Sequence, residues 1–409
     1  MLISHKTLDS YAKLYGDAFY ILDLNKFQSN SKCFIEALRS YYSNVRFAYS
    51  YKTNYIPDLA KAADDLGFYA EVVSETEYRL ARRYGNPGSN IIFNGPIKTG
   101  AALETAFREG AIVNLDNLGE LDELQQLLDG GVIKHAEVGI RASFDMGLER
   151  CSRFGLNVEC GDFDRACERI DMDPRIDLIG LHCHFSVPQR DAASYRRRLR
   201  RLIDLAAGLS EPSRLRFLDV GGGFAGPLSP EFRKEFDIEM PEYEEYARAV
   251  AGEMSAAYPG GDGPELILEP GMGLLADTMS FVCRVHALKK SGSHRYAITT
   301  GSIFNVKPFL HGKNMPFRHV PTPRTDDSKA HDIVQLTGYT CMEIDVLYRD
   351  YKGDLREGDY LVFDNCGAYA PILIPPFIRP APAIIEHGTE ARLIRRASDE
   401  TDMIAEYEN

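Results

Sequence analysis

The stretch Phe47–Asn54, FAYSYKTN, sets Lys52 and Asn54 directly after an apolar run. A strand buried on both faces reads as such a run, and in a barrel of parallel strands the chemistry gathers where the strands end. The same organisation recurs along the chain. Gly67–Val73 carries Glu71 near its end and leads to Ser74, and Asn90–Phe93 leads to Asn94, Gly95 and Pro96. Ala111–Leu115 leads to Asp116, and Ala136–Ala142 carries Arg141. Asp177–His184 ends in His182 and His184, Arg214–Val220 runs into Gly221, Gly222 and Gly223, and Glu265–Leu268 runs into Glu269. The candidate first strand itself is Asn44–Tyr51. Helical patterns lie between these runs, as at Pro57–Leu66, Glu75–Tyr84, Leu118–Leu128 and Tyr243–Tyr258. Eight strands alternating with helices predict an α/β fold, a (β/α)8 TIM barrel; a doubly wound sheet has the same periodicity and stays open as the alternative.

After Pro270 the helical rhythm weakens. Strand-like runs appear between Gly, Pro and Asp turns at Met279–Leu288, Tyr296–Thr299, Asp332–Leu336, Tyr360–Asn365 and Ile384–His387. These predict a C-terminal mostly-β domain, barrel- or sandwich-like, and Ala18–Leu22 is a candidate extra strand for it. The expected division is a barrel over 25–275 and a β domain formed by 1–24 and 276–409. Pro316–Ala330, polar with three prolines, reads as an exposed loop.

The chain has 409 residues, 44% of them hydrophobic, and a formal net charge of −13. Acidic residues spread along the chain disfavour nucleic acid, which calls for a basic stripe. No apolar run approaches membrane length and the N-terminal stretch lacks a signal-peptide core, so no membrane partner and a cytoplasmic location are expected. Eight scattered cysteines without a CxxC pair read as reduced thiols.

A lysine after a strand is ordinarily a snorkelling surface residue. Beside seven other polar strand ends, Lys52 reads instead as an amine partly desolvated at a barrel mouth, able to form a Schiff base. Gly221–Gly223 reads as a turn whose amides can approach an anion, without dinucleotide or P-loop spacing. Alternation sets His182 and His184 on one face of their strand. No further ligand is specified, so no metal is expected; a hydrogen-bonded barrel histidine or an imidazole stacked on a planar ligand are the readings left. Glu269 is either half of a salt bridge or a carboxylate that keeps a pyridine nitrogen protonated.

Taken together, these motifs resemble the fold-type III pyridoxal-phosphate decarboxylases, the group of ornithine, arginine and diaminopimelate decarboxylases with an alanine-racemase-like barrel and a C-terminal β domain. The resemblance runs from about Tyr20 to about Ile385. It rests on FAYSYKTN, AEVVSETE, NGPIK, LDNLGEL, IRAS with CSRFGL, GLHCHFS, LDVGGGF, LEPG, GYTCMEID and GAYAP. It implies pyridoxal 5'-phosphate (PLP) as cofactor, carried as an imine on Lys52 and stacked by His184, with Glu269 on the pyridine nitrogen. Gly221, Gly222, Gly223, Gly271 and Tyr369 would hold the phosphate, and Arg141 and Glu71 would support the imine region. Cys341 would return a proton to the α-carbon, from the partner subunit of a homodimer with shared active sites.

Departures from the family pattern bear on the substrate. Met272 stands where an arginine commonly follows Glu-Pro-Gly, and Ser186 follows His184 without the usual spacing. Met342 replaces the acid that commonly follows the catalytic cysteine, and Lys307 stands where diaminopimelate decarboxylases have an arginine. Lys307, Met342, Glu343 and Asp345 are therefore the candidate substrate-binding residues. The expected activity is α-decarboxylation of an amino acid or derivative, with a distal end that is acylated or conjugated, as in natural-product or siderophore chemistry. Alternatives are a diaminopimelate or basic amino-acid decarboxylase, a racemase of the same fold, and a non-catalytic regulator; retention of Lys52 and Cys341 disfavours the last.

Overall fold

The computed structural model describes residues 3–147, 152–185, 190–236, 240–324, 333–388, 391–405 and 407. Expectations resting on Ser186, and on the start of CSRFGL at Cys151, lie outside them. The chain forms two compact units. One comprises Gln28–Ala225 and Ile238–Gly273, the other Met1–Phe27, Gly226–Asp237 and Leu274–Asn409. The expected barrel span of 25–275 thus contains a segment, Gly226–Asp237, that joins the β unit.

The first unit is a closed parallel barrel. Its strands are Val45–Ser50, Tyr69–Val72, Ile91–Phe93, Ile112–Leu115, Ala136–Ser143, Ile176–His182, Phe217–Asp219 and Glu265–Leu268. Each pairs with the next, and the last closes on the first with Leu266 opposite Val45. Closure excludes the doubly wound alternative, since an open sheet has two unpaired edges. Ala48, Ile92, Ile179, Phe217 and Ile267 fill the interior. Phe217 dictates a glycine opposite it: a Cβ on Gly180 would lie 2.2 Å from the ring. Behind the seventh strand Tyr195 stacks on Phe224 with centroids 4.2 Å apart, and Tyr246 meets both rings edge-on.

Capping explains where helices begin. Ser74 accepts from the Glu77 amide at 3.2 Å, and Glu77 returns the favour to the Val73 amide at 2.8 Å. Asn117 accepts from Glu120 in the same way at 3.1 Å. Each cap directly follows a barrel strand, so the residues at the mouth are held by short, pinned turns.

In the mostly-β unit, Phe19–Leu22 lies between Met279–Ser291, antiparallel, and Ala383–Glu386, parallel. Leu8, Phe19, Ile21, Val282, Tyr360, Val362 and Ile385 form its core. Ala18–Leu22 is thus a strand of this unit, offset by one residue. Three strands escaped the sequence reading: Phe317–Val320, Val346–Lys352 and Arg392–Arg395. The first corrects the loop expected at Pro316–Ala330, of which 325–330 is not described. Phe317 packs on Phe363, Arg318 pairs with Asp364 and His319 with Asp359, so tertiary partners hold as a strand a tetrapeptide that flanking prolines disguise. Among the described residues no helix is long and apolar enough to cross a membrane.

Candidate active site

The strand ends of the barrel bring together a buried polar floor. Ser50 and Glu71 are register neighbours on adjacent strands. Ser50 donates to Glu71 Oε2 at 2.6 Å, and Lys52 Nζ lies 2.8 and 2.7 Å from the two oxygens of the same carboxylate. Glu71 is fully buried and the Lys52 side chain about a third exposed (31%), which leaves the amine reachable at the mouth. Asn94, at the end of the third strand, donates its amide nitrogen to Glu71 Oε1 at 3.1 Å and to Glu269 Oε1 at 2.5 Å. Its carbonyl oxygen accepts from Asn114 at 2.8 Å, which fixes the amide orientation, since only the nitrogen can serve two carboxylates. Sequence reasoning placed Asn94 at a strand end but missed that it links the two acids.

Glu269 sits between two imidazoles, 3.6 Å from His182 Nε2 and 3.5 Å from His184 Nδ1. The strand stops at His182, so alternation does not place His184; the following turn does. His184 Nδ1 accepts from the Gly222 amide at 3.0 Å, which puts the proton of the neutral ring on Nε2. Burial pushes its pKa down to about 4, against the pull of Glu269. Both nitrogens of the buried His182 lack a hydrogen-bond partner among the described residues. Burial raises the Glu269 carboxyl, but His182, His184 and Lys52 outweigh it and hold the group well below the usual range. Asp219 goes the other way, raised by burial and by the Glu269 charge. Glu269 is therefore the acid whose charged form the site favours, and Asp219 the one whose charge burial and Glu269 disfavour.

His182, His184 and Glu269 place ligand atoms within 4.8 Å of one another. The Nδ1 lone pair of His184 is already spent on Gly222, which leaves fewer donors than the three protein ligands of a catalytic zinc site.

Around this floor, Arg141 donates to Asp116 at 3.2 Å and to the His184 carbonyl at 3.1 Å, so it braces the turn. Behind it Lys98 and Glu120 form a buried ion pair at 2.8 Å, and Glu120 accepts the Asp116 amide at 2.9 Å. At the glycine turn, Gly221 and Gly223 have φ of +69° and +92°. A Cβ on Gly221 would fall 2.6 Å from the Cys183 carbonyl. The Gly221 amide is bound to Asp219 Oδ1 at 2.8 Å, that of Gly222 to His184, and that of Gly271 to the Glu269 carbonyl at 2.8 Å. These three glycines, expected to offer amides to a phosphate, spend them within the chain; a Cβ on Gly221, Gly222 or Gly271 would run into Cys183, Glu269 or Thr53, so their part is to let these mouth segments pack closely.

The remaining candidates lie in the β unit. Cys341, Met342 and Glu343 are exposed. Asp345 is buried and saturated, accepting from Ser302 Oγ at 3.1 Å and from the amides of Ile303 at 2.7 Å and Thr340 at 3.0 Å. It pins the loop. Lys307 is completely buried and donates to the Val346 carbonyl at 3.2 Å, with burial pushing its pKa down to about 8. Tyr369 has φ of +66° and packs edge-on against Phe309 at 5.0 Å.

Residues 26–276 match the pyridoxal-binding domain of the pyridoxal-dependent decarboxylases. The chain belongs to this family. It is 24% identical to the diaminopimelate decarboxylase of Aquifex aeolicus over 97% of this chain and 93% of that protein. It is 28% identical to that of Actinosynnema pretiosum over 95% of this chain and 88% of that protein. The fold matches diaminopimelate decarboxylase from M. jannaschii, solved in co-complex with L-lysine, at a TM-score of 0.85 and 23% identity over 98% and 94% of the two chains.

As a pyridoxal-dependent decarboxylase the chain is a carboxy-lyase that uses PLP. Its residues fit the cofactor. The floor supplies a reachable amine, an ionised buried acid, a neutral imidazole and a cradle that any Cβ would obstruct. His182 Nε2 faces Glu269 at 3.6 Å, while its buried Nδ1 has no hydrogen-bond partner among the described residues.

Proposed function

We propose that the chain removes the α-carboxylate of an amino acid whose distal end is acylated, conjugated or otherwise uncharged. The observation that carries the reading is the buried set Lys52–Glu71–Asn94–Glu269, which holds an amine and a pyridine-directed carboxylate at opposite ends of one hydrogen-bonded floor. When bound, PLP acts as the electron sink that lets CO2 depart.

The chain's own residues do the rest. Lys52 Nζ anchors the cofactor, and Glu71, held by Ser50 and Asn94, stabilises positive charge there. Glu269 would hold the ring nitrogen and favour its protonated form, and the neutral His184 would offer its imidazole to the ring. Arg141 steadies His184 through its carbonyl. Gly221, Gly222, Gly223 and Gly271 shape the phosphate site, and Tyr369 adds its hydroxyl. Cys341 Sγ donates a proton to the product's α-carbon.

Cys341 reaches this chemistry across a homodimer, from the partner subunit. Support comes from exposure: Cys341, Met342 (39%), Ile344 (45%) and Phe309 (63%) lie open on the β unit. Exposed large apolar side chains are a mark of interaction surfaces. Mixing Lys52→Ala with Cys341→Ala protomers should restore about a quarter of the wild-type sites, as random pairing in a twofold dimer requires. No recovery would refute the shared site.

The distal end follows from Met342, whose thioether cannot replace an acid. A free ammonium there loses a charge-assisted contact of ~1.5–3 kcal/mol. Lys307 and Asp345 are engaged within the β unit, which leaves Glu343 as the exposed charged group of the motif. A second reading, decarboxylation of diaminopimelate or a basic amino acid, draws on the names of the relatives. CO2 release from ornithine, lysine and diaminopimelate, against Nω-acylated analogues, decides between them; efficient turnover of the free diamino acids overturns the first.

A further inference from the structure

Arg190, beyond the sixth barrel strand, carries a positive charge that no acid among the described residues meets. Among the described residues no carboxylate pairs with its guanidinium; NH1 donates to the Met272 thioether at 3.4 Å. Sulfur is a weak acceptor, so most of the five donors of this half-buried group are unspent.

Its position is fixed beside the glycine turn. Tyr246 donates its hydroxyl to the Arg190 carbonyl at 2.6 Å and accepts the Ala225 amide at 3.2 Å. Ala225 stands two residues after Gly223. Tyr195 holds the other side of the turn, donating to the Gly222 carbonyl at 3.1 Å. Met272 belongs to the same place: the Glu269 amide donates to the Gly221 carbonyl at 2.9 Å, and a Cβ on Gly273 would touch Phe224 at 3.1 Å. The guanidinium therefore lies between the turn and the segment after Glu269. The turn itself has spent the amides of Gly221 and Gly222, so a cationic side chain would add to what the turn can still offer an anion.

We propose that Arg190 supplies the cationic contact to the phosphate of PLP, with Met272 as the apolar shelf beneath its guanidinium. The proposal rests on PLP being the cofactor. A forked guanidinium suits a phosphate because it gives two parallel charge-assisted bonds. The position next to Glu-Pro-Gly is thereby relieved of carrying charge.

The test is retention of cofactor by the purified holoenzyme during dialysis, together with titration by PLP and by pyridoxal, which lacks the phosphate. Arg190→Gln should weaken PLP at least about tenfold, as loss of a charge-assisted contact implies, and leave pyridoxal binding unchanged. Arg190→Lys should retain PLP better than Arg190→Gln. Adding Met272→Arg to Arg190→Gln should recover most of the lost affinity by returning a cation from the other side. Wild-type retention by Arg190→Gln, equal weakening of PLP and pyridoxal, or no rescue in a double variant with native circular dichroism would each overturn the assignment. Failure of the wild-type protein to develop a visible absorbance band with PLP would instead strike at the cofactor.

Discussion

The barrel floor and the Cys341 loop solve opposite problems. Around Glu71 and Glu269 the carboxylates are matched to fixed partners, so their charges are set before any ligand arrives. Around Cys341 one residue, Asp345, ties the loop to the unit, while Cys341, Met342, Glu343 and Ile344 stay open. The contrast teaches that the floor is preorganised within one barrel, whereas the Cys341 loop keeps its exposed side chains free of fixed partners among the described residues. Preorganisation matters most where charge develops, and adaptability where partners must be chosen.

The largest effect should come from the floor. Lys52→Ala should abolish the visible band that borohydride reduces, together with all CO2 release; a persisting band breaks the assignment. Cys341→Ala should keep the band and lower turnover by ~10²–10⁴-fold, the range of a lost general acid. Equal loss of band in both variants would erase the distinction between the two regions. Lys98→Met sharpens it from behind the floor. Desolvation lowers the Lys98 pKa and raises that of Glu120, yet breaking the pair strands a buried charge and should cost about 3–5 kcal/mol in denaturant unfolding. Lys98→Met with Glu120→Leu should recover much of that loss.

The smallest effect concerns Glu77, whose carboxyl burial raises to about 7. The folded state holds this proton between the ordinary carboxylate range and pH 7. The contribution of Glu77 to stability is thus full at low pH and lost as pH rises through 7. Glu77→Gln should raise Tm more at pH 8 than at pH 5; a pH-independent change would show that the acid is not buried in charge.

The barrel was legible because its strands are buried on both faces and read as apolar runs, each ending in polar residues. The β unit was less so. Phe317–Val320 carries Arg and His between prolines, and Arg392–Arg395 is half charged; both are strands because of what pairs beside them. Lys52, Glu71, His184 and Glu269 could be read from strand ends. The bond between Asn94 and two distant acids could not, since it depends on barrel closure. Asp345 looked like a substrate residue from its motif, but its three donors come from Ser302, Ile303 and Thr340, the first two 43 and 42 residues away. Arg190 went unnoticed because nothing in QRDAAS marks which loop arginine lacks an acid.

The Asn94 amide has a consequence for how this chain can evolve. One nitrogen tethers the acid beside the amine to the acid between the two imidazoles, and Asn114 keeps it from turning away. A change that strengthens its grip on one carboxylate slackens it on the other. The carboxylate at the lysine and the carboxylate between the imidazoles are thereby yoked, so drift at one drags the other with it. The open Cys341 surface carries no such yoke, and its residues can vary without disturbing the floor.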